Sequence, residues 1–212
     1  MNHNVVLITG GSGYIGSHLI SALTKANLTP VIFDVHPPPT EVRKRVIFCR
    51  GAIRNKTGLD AVFSTHNPVG VIHLAAHTRV SGSRGNGKYI WENNVEGTRN
   101  VLASMVRHRC RYIVFTSSAA VYGLATTPVS EAGVLKPISE YGRTKKMNES
   151  DIVKFHKHIY SATLRLFNVQ GNDNRVPLTR RAQHRNTLLG NAVQVGQKKK
   201  TAVHIYGTTY PS

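Results

Sequence analysis

Residues 9–18 read TGGSGYIGSH and follow the apolar run Val5-Val6-Leu7-Ile8 without a break. That order calls for a buried strand, a tight turn with little room for side chains, and then a helix. Gly11-x-Gly13-x-x-Gly16 has the spacing of a dinucleotide fingerprint, and Gly10, Gly13 and Gly16 also fall at every third residue, with Tyr14 and Ile15 between them. Glycine suits such a turn because the backbone must approach a pyrophosphate closely, and the last glycine lets the helix pack on the strand. The helix N-terminus then offers N–H groups and a positive dipole end to the anion. In isolation, a glycine turn between two packed elements would read the same way. The flanking strand and helix favour the nucleotide site.

An acid at the end of the next strand completes such a site. Pro30-Val31-Ile32-Phe33 is apolar and ends in Asp34, about twenty residues past the glycines, where a ribose 2′-hydroxyl acceptor belongs. A carboxylate there repels a 2′-phosphate, so the expected cofactor is NAD rather than NADP. The other reading of Asp34 is turn punctuation ahead of Pro37-Pro38-Pro39.

A chain of 212 residues can bury a real core. No apolar stretch approaches membrane-spanning length, and the N-terminal apolar run is too short and wrongly flanked for a signal peptide. Two widely separated cysteines, Cys49 and Cys110, suggest a reducing cytoplasm, and no metal-ligand spacing is present. The net charge of +18 is unevenly spread: residues 41–56 carry six basic side chains against Glu41, and 175–212 carry seven with no acid. Nucleic acid, an acidic partner or a nucleotide diphosphate could meet such patches, as could solvent alone. No aromatic–basic platform accompanies the charge, so nucleic acid is disfavoured.

Strand patterns at 4–9, 30–34, 45–49, 70–75, 111–116, 160–166 and 202–206 alternate with helical patterns at 14–26, 56–66, 86–108, 139–158 and 187–197. This predicts an α/β fold, a doubly wound parallel sheet of Rossmann-like type. We expect residues 1–167 to form the dinucleotide domain. Residues 168–212 would begin a smaller C-terminal substrate domain, opening with a loop over 168–186. Gly10–Gly16, Asp34, Ala75, Ala76, Ser117 and Ser118 should meet in one crevice beyond the strand C-termini.

Tyr141 and Lys145 lie four apart on an expected helix and so share a face. A phenol near its ordinary pKa of about 10 is a poor base. A nearby ammonium favours its phenolate, and the Ser118 hydroxyl can hold a substrate oxygen while the proton moves. The Tyr-x-x-x-Lys spacing alone is common by chance. Its position after fingerprint, ribose acid and strand-end serine gives it meaning.

TGGSGYIGSH (9–18), VIHLAA (71–76), NNVEGT (93–98), FTSSAAVYG (115–123), EYGRTK (140–145), LRLFNVQG (164–171) and IYGTTYP (205–211) together resemble the extended short-chain dehydrogenase/reductase superfamily, and within it the UDP-glucose 4-epimerases. The resemblance implies that Gly10, Gly13, Tyr14, Ile15 and Gly16 cradle the NAD pyrophosphate and that Asp34 holds the adenosine ribose. It places Ile53 near the adenine, Ala75 and Ala76 along the cofactor cleft, and Asn94, Ser117 and Phe167 about the nicotinamide. Tyr141 would be the base, Lys145 the ribose ligand that tunes it, and Ser118 the partner in proton transfer. Asn168, Leu188 and Tyr206 would contact the sugar nucleotide. Two helices per subunit, 86–108 and 139–158, would form a homodimer.

Related dehydratases carry an acid pair after the strand-end serine, where this chain has Ala119-Ala120. The implied reaction is therefore 4-epimerisation of a UDP-sugar through a 4-keto intermediate. Ala52, Thr78, Leu166 and Thr187 depart from the epimerase pattern, which leaves a non-catalytic dinucleotide-binding role as the alternative. The sequence ends at Pro211-Ser212, so the substrate domain is expected to be incomplete.

Overall fold

The computed structural model describes residues 4–78, 87–124, 128–169, 171 and 188–203. Six strands form one parallel sheet: β1 (Val5–Thr9), β2 (Thr29–Asp34), β3 (Ile47–Arg50), β4 (Gly70–His73), β5 (Tyr112–Ser118) and β6 (Tyr160–Leu166). Their order, β3-β2-β1-β4-β5-β6, is that of a dinucleotide-binding doubly wound sheet. The expected fold class is thereby found.

Alternate strand residues point to opposite faces. Leu7, Val31, Phe33, Val71, Ile113 and Phe115 enter the larger core. There they meet α3 (Lys56–His66), α5 (Gly97–Arg107) and α6 (Glu140–Lys154) through Leu59, Phe63, Leu102, Met105 and Ile152. Ile32 faces the other way, against Ile20 of α1 (Tyr14–Lys25) and Val42 of the short α2 (Thr40–Arg43). Side-chain caps set the helix starts: Asn55 accepts the Gly58 N–H at 3.0 Å, and Ser139 accepts that of Gly142 at 3.0 Å. Asn67, at φ 44°, closes α3 in the left-handed region.

The helix expected over 86–108 is divided into α4 (Gly87–Trp91), a π-helical turn (Glu92–Glu96) and α5. The Asn94 carbonyl lies within the π turn. That oxygen accepts from the Thr98 hydroxyl at 2.6 Å and the Asn148 amide at 2.9 Å. The first bond commits the Thr98 proton, so His73 must donate to Thr98 from Nε2 (2.9 Å) and accept from Thr9 at Nδ1 (2.6 Å). A buried series of hydrogen bonds thus joins β1, β4 and the π turn.

Burial, with the nearby Lys145 charge, drives the His73 pKa from its ordinary 6.5 down to about 3. Between those values the unfolded chain takes up a proton that the folded ring refuses. Stability should therefore be full above pH 6.5 and decline as the pH falls toward 3, by on the order of a few kcal/mol. Urea unfolding of His73→Asn should show a flatter dependence over that window. An equally steep dependence would assign the acid sensitivity to other groups.

The chain divides into two compact units, residues 1–176 and 177–212. The second contains α7 (Leu188–Gly196), close to the expected helix over 187–197. Tyr206, and most of the expected strand over 202–206 and loop over 168–186, lie outside the described residues.

Candidate active site

In an open parallel sheet the crevice opens where neighbouring strands lead off in different directions, here beyond β1 and β4. Gly10 follows β1 at φ +70°, and a Cβ there would lie 2.6 Å from the Ala75 nitrogen. A Cβ on Gly16 would lie 2.4 Å from the Gly11 carbonyl oxygen. The turn is folded on itself and pressed against the β4 exit, so these two positions admit no side chain. Gly13 occupies the N-cap of α1 and brings no capping side chain, and the first turn carries no acid. The N-terminus of α1 thus keeps its positive character for an anion.

Asp34 ends β2 and reaches back to this turn. One carboxylate oxygen accepts the Ser12 N–H at 3.0 Å, the other accepts the His36 N–H at 3.0 Å, and the Ser12 hydroxyl donates to the His36 carbonyl at 2.6 Å. Each carboxylate oxygen retains acceptor capacity for a further donor such as a ribose hydroxyl. The Tyr14 hydroxyl donates to the Gly171 carbonyl, which ties the start of α1 to the segment after β6. The crowded glycines and the placed carboxylate fit a dinucleotide.

Ser118, Tyr141 and Lys145 converge at the end of β5. Ser118 caps the 3-10 turn Ala119–Val121 by accepting the Ala120 N–H at 3.2 Å, and its side chain acts on the Tyr141 phenol. Lys145 is 2% exposed, and its ammonium donates to the Thr116 carbonyl at 2.6 Å. It also lies 4.7 Å from the Phe115 ring centroid and 5.7 Å from that of Tyr141. Burial pushes Lys145 down to about 7, with the Glu149 charge pulling the other way. Burial raises the Tyr141 phenol, offset in part by Ser118. Among its described neighbours, the site by itself therefore holds a neutral phenol next to a readily titrated amine.

The remaining expected residues are placed as follows. Ala75 and Ala76 are half-buried and follow β4 after Leu74. Ile53 is buried against Gly97, where a Cβ would lie 2.6 Å from Ile53 Cδ1. Asn94 is buried with its amide fully engaged: it accepts the His77 N–H at 2.7 Å and donates to the His77 carbonyl at 3.0 Å and Thr144 at 3.2 Å. Its side chain holds the segment after Ala76. The Ser117 hydroxyl likewise turns into the protein, donating to Glu149. Phe167 is 77% exposed after β6, beside exposed Asn168. Leu188 begins α7 in the second unit.

Sequence reasoning missed Glu149, Arg165, His73 and Asn148. The signal for Glu149 was its spacing, since Tyr141, Lys145 and Glu149 recur every four residues along α6.

The profile of the NAD dependent epimerase/dehydratase family matches residues 6–210. The chain belongs to this family. It is 30% identical to a UDP-glucose 4-epimerase of Rhizobium meliloti over 99% of its own length and 65% of the relative's. To the UDP-glucose 4-epimerase of Halalkalibacterium halodurans it is 33% identical over 97% and 63%. A solved UDP-glucose 4-epimerase from Brucella ovis in complex with NAD superposes with a TM-score of 0.85 at 28% identity, covering 99% of this chain and 66% of that one. The chain thus spans just under two thirds of the length of these relatives.

Proposed function

We propose that this chain is the NAD-binding part of a UDP-sugar 4-epimerase, with residues 1–167 holding the cofactor and 168–212 beginning the substrate region. The observation that carries the reading is the convergence of Ser118, Tyr141 and Lys145 at the end of β5, in the same sheet whose switch point bears the crowded glycine turn. Relatives named as UDP-glucose 4-epimerases, and neighbours solved with NAD and with UDP-sugars, support it.

In this reading Gly10, Gly13 and Gly16 admit the pyrophosphate, and Asp34 accepts a ribose hydroxyl. When bound, NAD supplies the nicotinamide that accepts hydride from the sugar C4 and returns it to the opposite face. As its phenolate, Tyr141 takes the proton from the 4-hydroxyl and later gives it back. Ser118 holds that oxygen in line, and Lys145 stabilises the deprotonated phenol. Ala119 and Ala120 offer no acid or base for eliminating water, which keeps the 4-keto sugar on the epimerisation path.

Incubation with NAD and UDP-glucose should yield UDP-galactose, and calorimetry should show NAD binding. Binding without turnover would support the dinucleotide-binding role instead. Asp34→Asn should weaken NAD by about tenfold and narrow the preference over NADP, since it removes the charge that orders the ribose and opposes a 2′-phosphate. Unchanged affinities for both would remove Asp34 from the site.

A further inference from the structure

Glu149 is a buried carboxylate outside the reaction just described. It lies on α6 one turn beyond Lys145, on the same face. Arg165 on β6 grips it: Nε donates to Oε1 at 3.1 Å, and Nη2 donates to Oε2 at 2.9 Å. The same guanidinium is anchored by the Tyr122 hydroxyl at 2.8 Å and the Glu131 carbonyl at 2.7 Å, and it stacks 5.0 Å from the Tyr122 ring centroid. Glu149 also accepts the hydroxyl of Ser117. Ser117 sits between Thr116, whose carbonyl receives the Lys145 ammonium, and Ser118. One carboxylate therefore touches the strand end that carries Ser118 and receives the Lys145 ammonium, and its charge acts on Lys145 itself.

We propose that Glu149, clamped by Arg165 and Ser117, is a positioning residue of this site: it supplies the fixed negative charge that Lys145 faces and holds the end of β5 that carries Ser118. The proposal takes its catalytic meaning from the epimerase reading, but the charge coupling does not depend on it. Lys145 has no carboxylate within ion-pair distance among the described residues. The groups packed about it are Tyr141 on α6, Phe115 and Thr116 on β5, and His73 on β4. His73 is neutral across the working range and cannot hold the ammonium. Among the described residues Glu149 is the acid whose charge acts on it, and that charge opposes the loss of the Lys145 proton caused by burial.

The test is an NMR titration of lysine side-chain carbons in the cofactor-free chain, with Lys145 assigned by its absence in Lys145→Met. Glu149→Gln should move the Lys145 midpoint down by about one pH unit or more. Arg165→Gln leaves the carboxylate uncompensated and should move it up, and Glu149→Asp should largely restore it. Shifts of opposite sign cannot come from general loosening of the fold. Should Glu149→Gln alone fail to fold, Glu149→Gln/Arg165→Gln removes both charges of the pair and should still move the midpoint down. An unmoved midpoint in the folded variants, or a downward shift with Arg165→Gln, would overturn the proposal. In turnover, Glu149→Gln should bring the alkaline limb of the pH–rate profile to lower pH rather than scale the whole profile. If the midpoint shifts as expected in a chain that never yields UDP-galactose, the epimerase reading fails and the coupling stands.

Discussion

Tyr141→Phe is expected to lower turnover by about 10²- to 10⁴-fold, the usual worth of a positioned acid–base group. Phenylalanine keeps the ring that packs near Lys145 and loses only the oxygen that takes and returns the proton. Affinity for NAD should therefore change little while kcat collapses. Burial leaves the phenol raised, so the proton transfer relies on the groups around it, and Ser118 is the hydroxyl that offsets part of that rise. Product formation measured alongside calorimetry separates the two quantities. Normal turnover by the folded variant would remove Tyr141 as the base.

Gly10→Ala should be the most damaging small substitution in the glycine turn. The residue sits at φ +70°, and the new carbon would fall 2.6 Å from the Ala75 nitrogen and 2.7 Å from its Cα. Both obstacles are backbone, so no rotamer change relieves them. A loss of roughly 3 kcal/mol is expected from strain and overpacking together, or about 6–12 °C in Tm for a chain of this size. NAD affinity should fall as well, because relief would separate the β1 and β4 exits that frame the crevice. Gly196→Ala is the control, as a Cβ there meets nothing within 4 Å. It should change stability by less than about 0.5 kcal/mol. Equal melting temperatures for the two variants would show that the turn is not held as described.

The sheet was legible because its inner strands are continuous apolar runs and every crossover except that from β2 to β3 carries its own helix signal. Val5 to Ile8, Val31 to Phe33 and Ile113 to Phe115 could hardly be anything but buried strands. The short α2 escaped notice because Thr40–Arg43 is a single turn, too brief for periodicity. The division of 86–108 was hidden for a related reason. The π turn covers only five residues of a longer helical pattern, too few for its own period to show, and the Asn94 carbonyl it holds is used by Asn148. At the site, motif spacing pointed to Ser118, Tyr141 and Lys145. It could not reveal that Asn94 and Ser117 spend their polar atoms inside the protein, since that depends on Glu149, His77 and Thr144 arriving from other elements.

The hydrogen-bond series through His73 runs one way. Thr9 gives its proton to the ring, the ring gives its own to Thr98, and Thr98 gives its own to the carbonyl of Asn94. A protonated imidazole would turn two donors outward and leave Thr9 no acceptor there. Acid therefore attacks the crevice from beneath, through its floor, and not through the groups that face a substrate. Loss of activity at low pH would then be a structural event, accompanied by lost near-UV ellipticity, whereas inactivation on the alkaline side would be a plain titration that leaves the fold intact.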